Sequence, residues 1–467
     1  NYILSNTKHF IMKKNILYAF LFASLTFLHY SCQKEISVSG NETSSELNAR
    51  NSDQGHLKQT KTFSADVAIQ WMNMQVWQMY KYPGIVGNAA YSRHYAYSGI
   101  ALYEAVVPGM PAYQSIAPQL NGLSGLPKTK PGAGYHWAAS ANAALASINK
   151  KLFPAASAEN KAAMDDLEAT LLAQYSNEAD AAIIERSVAF GKAVAEAVFN
   201  WADTDGHQNI NNPYTPPADK IGGVYWTPPP VLPVHSLQYF GNIRRIVATS
   251  GDGAGLPAPP YNELEAMTIE VINAKPAPGT DEFKMAFWWR DFPGTSTPGH
   301  YVSILRQVLQ KEQASLDVAA LAYALGGIID VDITISTWQD KYKYLLARPF
   351  NYDDVIGQPF TALLGAPHPE YPAGHATLSS ANAEAMTTIF GDNYAFTDST
   401  FYIYETVNPV GSKQPPRSFS SFRHAGEEAG WSRLYGGIHY RISIEDGFWQ
   451  GRKVAHNIIT TLKFLKD

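Results

Sequence analysis

The stretch Leu316–Ile335 constrains the fold of this chain more than any other. It is apolar enough to resemble a bilayer span, yet it carries Asp317, Asp330 and Asp332. Carboxylates at that density argue for a core helix rather than a membrane span. The segments around it follow the same helical logic. Apolar residues recur three and four positions apart over 65–82, 88–107, 134–152, 158–175 and 178–203. The pattern resumes over 261–274, 280–289, 299–313, 316–344, 375–390, 421–435 and 444–465. Few segments alternate as strands do. The chain is therefore expected to be all-α, a helical bundle with long irregular loops and only short strand pieces.

One loop is long. Residues 203–260, rich in Gly, Pro and Asn and including WTPPPVLP, lack periodicity and read as a functional or covering segment. With 467 residues and 45% hydrophobic content, the chain can bury a large core, as one domain or two fused halves. A formal charge of -5 and a pI near 6.2 argue against nucleic acid as a partner. Any anion site must come from a local cluster of cations.

The single cysteine, Cys32, excludes an intrachain disulfide. From Met12 the sequence reads MKKNILYAFLFASLTFLHYSCQKE, with two lysines, an apolar run, small residues and then the cysteine. This is a secretory signal pattern, and a cysteine at its end resembles a bacterial lipoprotein signal, although His29 sits where a small aliphatic residue is usual. Residues 1–32 are thus expected to be upstream sequence plus leader, 33–62 a polar tether, and 63–467 the folded domain. The expectation is an exported protein held to the membrane by a lipid anchor alone.

Three segments carry chemistry. In WQDKYKYLLARP, Lys341 and Arg348 are seven apart, which on a continuous helix places them within about 20° of one face. Trp338 lies one turn earlier, and Pro349 marks the expected helix end. In HPEYPAGHATLSS, a glycine-containing turn runs into a helix near His375, offering free N–H groups and a positive dipole end to an anion. In SRLYGGIHYRIS, Arg433 and His439 are about 240° apart on a regular helix. They converge only if the chain breaks at Gly436–Gly437. Taken singly, each segment has an ordinary reading as a solvated cationic stripe, a helix cap or an amphipathic surface. Together they supply three cations, one helix-terminal turn and two histidines, the parts of an oxyanion pocket.

The order Lys-x6-Arg-Pro, then Pro-x-Gly-His, then Ser-Arg-x5-His resembles the signature of the vanadium-dependent haloperoxidases and the type 2 phosphatidic acid phosphatases. FWWRDFPGTSTPGHY and SRHYAYSGIALYEAV extend the resemblance to bacterial haloperoxidase-like proteins, from about residue 65 to the C-terminus. The resemblance implies vanadate as cofactor, hydrogen peroxide and halide as substrates, and an active site within 338–446. A small organic acceptor and an oligomer are compatible with it. By the same resemblance His439 is the axial vanadium ligand. Lys341, Arg348, Arg433 and the Gly374 N–H bond the equatorial oxygens. His375 bonds the apical oxygen and moves protons, and Lys341 strengthens the polarisation of bound peroxide. Trp338 and His368 match the halide pocket, and histidine at the latter position implies iodide or bromide rather than chloride. Tyr371, Trp226 and His300 are weaker candidates for the pocket entrance.

Two departures from the pattern matter. Ala373 stands where serine is usual, removing a hydroxyl worth on the order of 1.5–3 kcal/mol against a charged group. Ser443 stands where the phosphatases have an aspartate that orients their nucleophilic histidine, with Asp446 at a different spacing. A neutral metal ligand needs that acid less than a nucleophile does, since a backbone carbonyl can serve. This favours haloperoxidase over an acid phosphatase working through phosphohistidine at His439. A non-catalytic surface oxyanion-binding protein is the third reading, kept open by Ala373.

Overall fold

A computed structural model describes residues 58–81, 88–215, 224–226, 236–291, 298–401 and 414–466. The leader, Cys32 and most of the tether lie outside the described residues, as do parts of 203–260. The N-terminal helices are α1 (Asp66–Lys81), α2 (Tyr91–Val106), α3 (Trp137–Leu152), α4 (Ala158–Tyr175) and α5 (Ala181–Ala202). Then come α6 (Leu264–Asn273), α7 (Asp281–Trp288), α8 (Gly299–Lys311) and α9 (Leu316–Tyr344). The single turn α10 (Pro349–Tyr352) precedes α11 (Gly374–Phe390), α12 (Phe422–Tyr435) and α13 (Arg441–Thr461). A three-residue antiparallel pair, β1 (Phe396–Asp398) and β2 (Arg417–Phe419), is in register Phe396↔Phe419. The all-α expectation holds, and α10 is the one helix absent from the periodicity, being too short to show any.

Local chemistry sets the ends. Ser157, Thr280 and Ser421 accept hydrogen bonds from the N–H of Asn160, Phe283 and His424, capping α4, α7 and α12. Pro349 begins α10, where its missing N–H is not needed. The folded body begins earlier than expected, because Lys58 O accepts from Trp137 Nε1 (2.8 Å) and buried Thr60 donates to Val106 O (2.8 Å). Residues 58–62 therefore belong to the domain rather than to the tether.

The long helix α9 joins two groups of helices. It packs along α2, which packs on α3, itself against α5. On another side it packs against α11, which lies between α12 and α13. The crossing of α2 and α9 is close because both carry glycine there. A Cβ at Gly99 would stand 2.5 Å from Tyr323 O, and one at Gly327 would stand 2.8 Å from Ala96 Cα. The apolar window of α9 is 83% buried within the protein, as a core helix should be. Its acids have partners: Asp332 accepts from Ile246 N (2.7 Å) and Val247 N (3.0 Å), tying the irregular segment before α6 onto α9. Further along, Ser236 O accepts from Trp338 Nε1 (3.2 Å) and Tyr342 OH (2.6 Å), so this segment also covers the C-terminal end of α9.

Candidate active site

Lys341 and Arg348 come together by a different route from the one their spacing predicts. Helix α9 ends at Tyr344, and Leu345 adopts a left-handed φ of 52°. Arg348 is extended (φ −77°, ψ 154°), as the following Pro349 requires. The two cations do not share a helix face. They converge because 368–372 wraps both. Lys341 Nζ donates to Pro369 O and Glu370 O (2.9 Å each) and to Pro372 O (2.5 Å). Arg348 donates from Nε to His368 O (3.0 Å), from NH1 to Ile438 O (2.8 Å) and from NH2 to His368 Nδ1 (3.1 Å). Its NH1 also faces His439 Nε2 at 3.1 Å.

The turn between α12 and α13 breaks as the glycine pair implies. Gly437 has φ +78°, and a Cβ there would stand 2.6 Å from Phe360 Cζ, so only glycine fits. The break returns His439 to the side of α12 that carries Arg433. At the start of α11, Ala373 occupies the N-cap without a side-chain cap bond, leaving the first-turn N–H groups of Gly374 and His375 free of one.

These elements enclose a cavity of ≈ 160 Å³ lined by Trp338, His368, Gly374, His375, Arg433 and His439, with Asp291 beside them. Trp338 and His368 pack with ring centroids 5.1 Å apart. Among the described residues two buried side-chain nitrogens of residues lining the cavity lack a hydrogen-bond partner: Arg433 Nε, a donor, and His375 Nε2. The rest of Arg433 is held by Trp289 O (2.9 Å from NH1) and Asp291 Oδ2 (3.5 Å from NH2), with Asp291 Oδ1 3.8 Å from His375 Nε2. Lys341 and Arg348 stand behind this wall, and neither lines the cavity. Tyr371, Trp226 and His300 do not line it either. Tyr371 donates to Asp446 Oδ2 (2.6 Å), His300 pairs with Asp398 (2.6 Å), and Trp226 packs on Tyr342.

The group that sequence reasoning missed is Glu370. Fully buried, its Oε1 accepts from His439 Nδ1 (2.8 Å) and Tyr440 N (2.9 Å), and its Oε2 accepts from the Ser443 hydroxyl (2.6 Å). His439 is therefore oriented by a carboxylate after all, delivered from the other side of the pocket. Ser443 is not an absent acid but a donor that fixes the acid present. The contrast drawn between Ser443 and the phosphatase aspartate consequently does not separate the two chemistries. One signal was visible: Glu370 is the only acid in a segment holding two histidines, and nearby buried cations require a counter-charge.

Electrostatics follow from burial. Desolvation, with Arg348 and Lys341 nearby, holds His439 well below the usual histidine range, so the ring is neutral. Donation of Nδ1–H to Glu370 leaves the lone pair on Nε2, where it now accepts from Arg348 NH1 (3.1 Å) and would exchange that bond for a metal. Burial, with Arg433 beside it, likewise keeps His375 neutral. Burial pushes the Glu370 carboxyl up to about 7 while Arg348 pulls it down, and burial then Arg348 hold Lys341 far below its usual value. Among the described residues no three His, Cys, Asp or Glu side chains are grouped to hold a bare metal ion. The residues fit vanadate instead: the unpartnered Arg433 Nε–H and the uncapped Gly374 N–H for oxygens, and the His439 Nε2 lone pair, released from Arg348, for the metal.

The model of the VCPO second helical-bundle domain matches residues 322–466. No match is found among the curated protein sequences. A solved structure titled as the first bacterial vanadium-dependent iodoperoxidase aligns with TM-score 0.74 at 26% identity, covering 87% of this chain and 98% of that one. Apo- and holo-type bacterial vanadium-dependent chloroperoxidase structures align with TM-scores of 0.59 and 0.57, at 16% and 15% identity. They cover 81% and 82% of this chain and 95% of each of theirs, and at that identity they speak to the fold alone. The fold is that of the vanadium-dependent haloperoxidases, and residues 322–466, which carry Lys341 to His439, match their second helical-bundle domain.

Proposed function

We propose that this protein is a vanadate-dependent haloperoxidase that oxidises iodide or bromide with hydrogen peroxide to a hypohalous acid equivalent. The observation that carries the reading is the pairing of His439, its Nδ1 on Glu370, with two unpartnered nitrogens, Arg433 Nε and His375 Nε2, of residues lining one cavity. His439 Nε2 would hold the vanadium, and Arg433, His375 and the Gly374 N–H would bond its oxygens. Lys341 and Arg348 support the wall that carries Glu370, and reach an oxyanion by exchanging bonds they now make to 368–372. Bound vanadate supplies Lewis acidity that polarises hydrogen peroxide toward attack by halide. Neutral His375 can take a proton from peroxide at Nε2 and return it to the water released.

The halide preference rests on Trp338 and His368. His368 Nδ1 lies between Arg348 NH2 (3.1 Å) and Pro369 O (3.3 Å), and the ring packs on Trp338. Burial, then Lys341 and Arg348, hold His368 neutral. A pocket of a neutral imidazole and an indole suits a large, weakly hydrated anion. The leader pattern and Cys32 support export with a lipid anchor, which mass spectrometry of the protein from a bacterial membrane fraction tests directly.

An orthovanadate titration followed by peroxide and iodide tests the enzyme reading. Vanadate-dependent formation of triiodide is expected. Phosphate-ester hydrolysis without halide oxidation would replace this reading with the phosphohistidine one, which Glu370 on His439 equally equips. Tight vanadate binding with neither activity would leave only the anion-binding protein.

A further inference from the structure

Four stretches far apart in sequence lie side by side where the described part of the chain begins. Lys58 O accepts from Trp137 Nε1 (2.8 Å), and Thr60 donates to Val106 O (2.8 Å). Gly109 is pressed against both, since a Cβ there would overlap Trp137 Nε1 and stand 2.5 Å from Thr60 Oγ1. Just beyond it, 112–114 pair with the C-terminal end. Gln114 N donates to Phe464 O (2.8 Å) and Lys466 N to Ala112 O (3.0 Å), around an antiparallel bridge of Tyr113 and Leu465. Lys130 joins them through Tyr135, whose hydroxyl accepts from Lys130 N (2.9 Å) and whose ring stacks on Trp137 (5.3 Å).

These stretches are cationic in a chain whose formal charge is -5. No Asp or Glu occurs between Glu104 and Glu159, between Asp446 and Asp467, or over 58–65. Lys58, Lys61, Lys130, Lys463 and Lys466 are all exposed. Lys463 and Lys466 direct their ammonium groups at carbonyls, Thr460 O and Pro111 O (2.8 Å each), which leaves the charge unmatched. Lys58 lies over the Phe63 ring (4.3 Å). The bordering acids are Asp66, at the start of α1, and Glu178, which pairs with His136 (3.1 Å). Between the last two lysines stands Leu465, a large apolar side chain that is 57% exposed. An apolar tip among lysines is the composition of a surface that enters the headgroup layer of a bilayer.

We propose that this face docks on an anionic lipid bilayer, its lysines against the headgroup phosphates and Leu465 among them. A bilayer is favoured over other polyanions by where the chain leads. Residue 58 is the first described, and Cys32 precedes it, so an acyl anchor on Cys32 tethers the molecule by this face. In this the inference rests on the anchor reading given above. Tethering raises the local concentration of face and headgroups, so a few lysines, each contributing about fivefold near an anionic surface, suffice. The rest of the surface carries the excess negative charge and is repelled, which sets the orientation.

The test uses the chain from Gln33, which keeps every described residue but has no leader and no acyl chain, sedimented with vesicles. Binding is expected to phosphatidylcholine and phosphatidylglycerol mixed in equal parts, not to phosphatidylcholine alone, and should weaken as salt rises. Lys61→Gln with Lys466→Gln should weaken it about 25-fold, two lysines at about fivefold each. Lys161→Gln with Lys284→Gln removes two exposed lysines from α4 and α7 and should leave binding within about twofold. Leu465→Ser should weaken it about threefold, by loss of inserted apolar area. Urea unfolding and iodide oxidation should be unchanged in every variant, because all these side chains are exposed and distant in sequence from the site. Equal binding to both vesicles, or equal weakening by the two lysine pairs, overturns the proposal. Binding to dextran sulfate with none to phosphatidylglycerol overturns it as well. An unacylated Cys32 in protein from membranes overturns the anchor alone, because the vesicle result does not depend on it.

Discussion

Arg93 and Arg433 are buried to nearly the same depth, and their surroundings differ in kind. Arg93, in α2, meets Asp205 Oδ2 at 2.6 Å and Ala202 O at 2.8 Å, and Asp205 also accepts from Tyr97 OH (2.9 Å) and His207 N (2.9 Å). Burial alone would raise that carboxyl, but the hydrogen bonds of His207 and the charge of Arg93 hold it down at about 2. Every charge there is matched. Arg433, in α12, has a carboxylate no nearer than 3.5 Å and a buried Nε with no partner. Buried charge that closes on itself is architecture; buried charge left open is waiting for a ligand. The difference lies in the accounting of donors, not in depth or residue type.

Paired substitutions can break that distinction. Arg93→Met should strand Asp205 and remove about 3–5 kcal/mol of stability, read by urea unfolding. Arg433→Met should remove little stability and lower halide oxidation roughly 10²–10³-fold, as loss of an oxyanion donor does. Equal destabilisation by the two would show that Arg433 is as structural as Arg93.

Asp330 tests the closed side from another direction, because among the described residues its carboxylate is held by Asn382 Nδ2 (2.8 Å) and forms no ion pair. Burial raises it to about 7, against roughly 3.9 when unfolded. A raised carboxyl makes the native state bind more protons between those values, so stability falls as pH rises from about 4 to 7. Asp330→Asn should flatten that slope and add on the order of 2 kcal/mol at pH 8. An unchanged pH profile would mean Asp330 is ionised at little cost.

The open side is sharpened by Glu370→Gln. The amide keeps the shape but no longer anchors the imidazole as a carboxylate does. Vanadate affinity should fall about 10–100-fold, as for other partners that orient a metal-bound histidine. Affinity within twofold of wild type would make Glu370 a counter-charge for Arg348 and nothing more.

Much of this was legible in the chain, and the reasons for the rest are specific. The limits read from the chain for α4 and α9 match to the residue, although neither carries a strong amphipathic stripe; α9 is apolar nearly all round because it is buried on most sides. Gly436–Gly437 foretold the convergence of Arg433 and His439, since a glycine pair states a backbone requirement locally. The geometry of Lys341 and Arg348 was not legible: α9 stops at Leu345 because Arg348 must be extended before proline, so helical arithmetic carried past its end. Glu370 was missed because its partners lie 69 to 73 residues away, and spacing arguments see only neighbours.

The smallest effect concerns Ala373, the N-cap of α11, where no side chain bonds the first-turn N–H groups. A serine there can do two different things. Without vanadate its oxygen can accept from the helix N–H groups and stabilise the protein by about 1 kcal/mol, the usual worth of a cap. With vanadate the hydroxyl must turn to donate to an oxygen, giving up that cap. Ala373→Ser should therefore raise apo stability by about 1 kcal/mol in urea unfolding and raise halide oxidation too, since a donor to a charged oxygen outweighs a neutral cap. Higher stability with unchanged turnover would mean that the helix N-terminus is best left open for the anion. Alanine would then be the functional choice, rather than a missing hydroxyl.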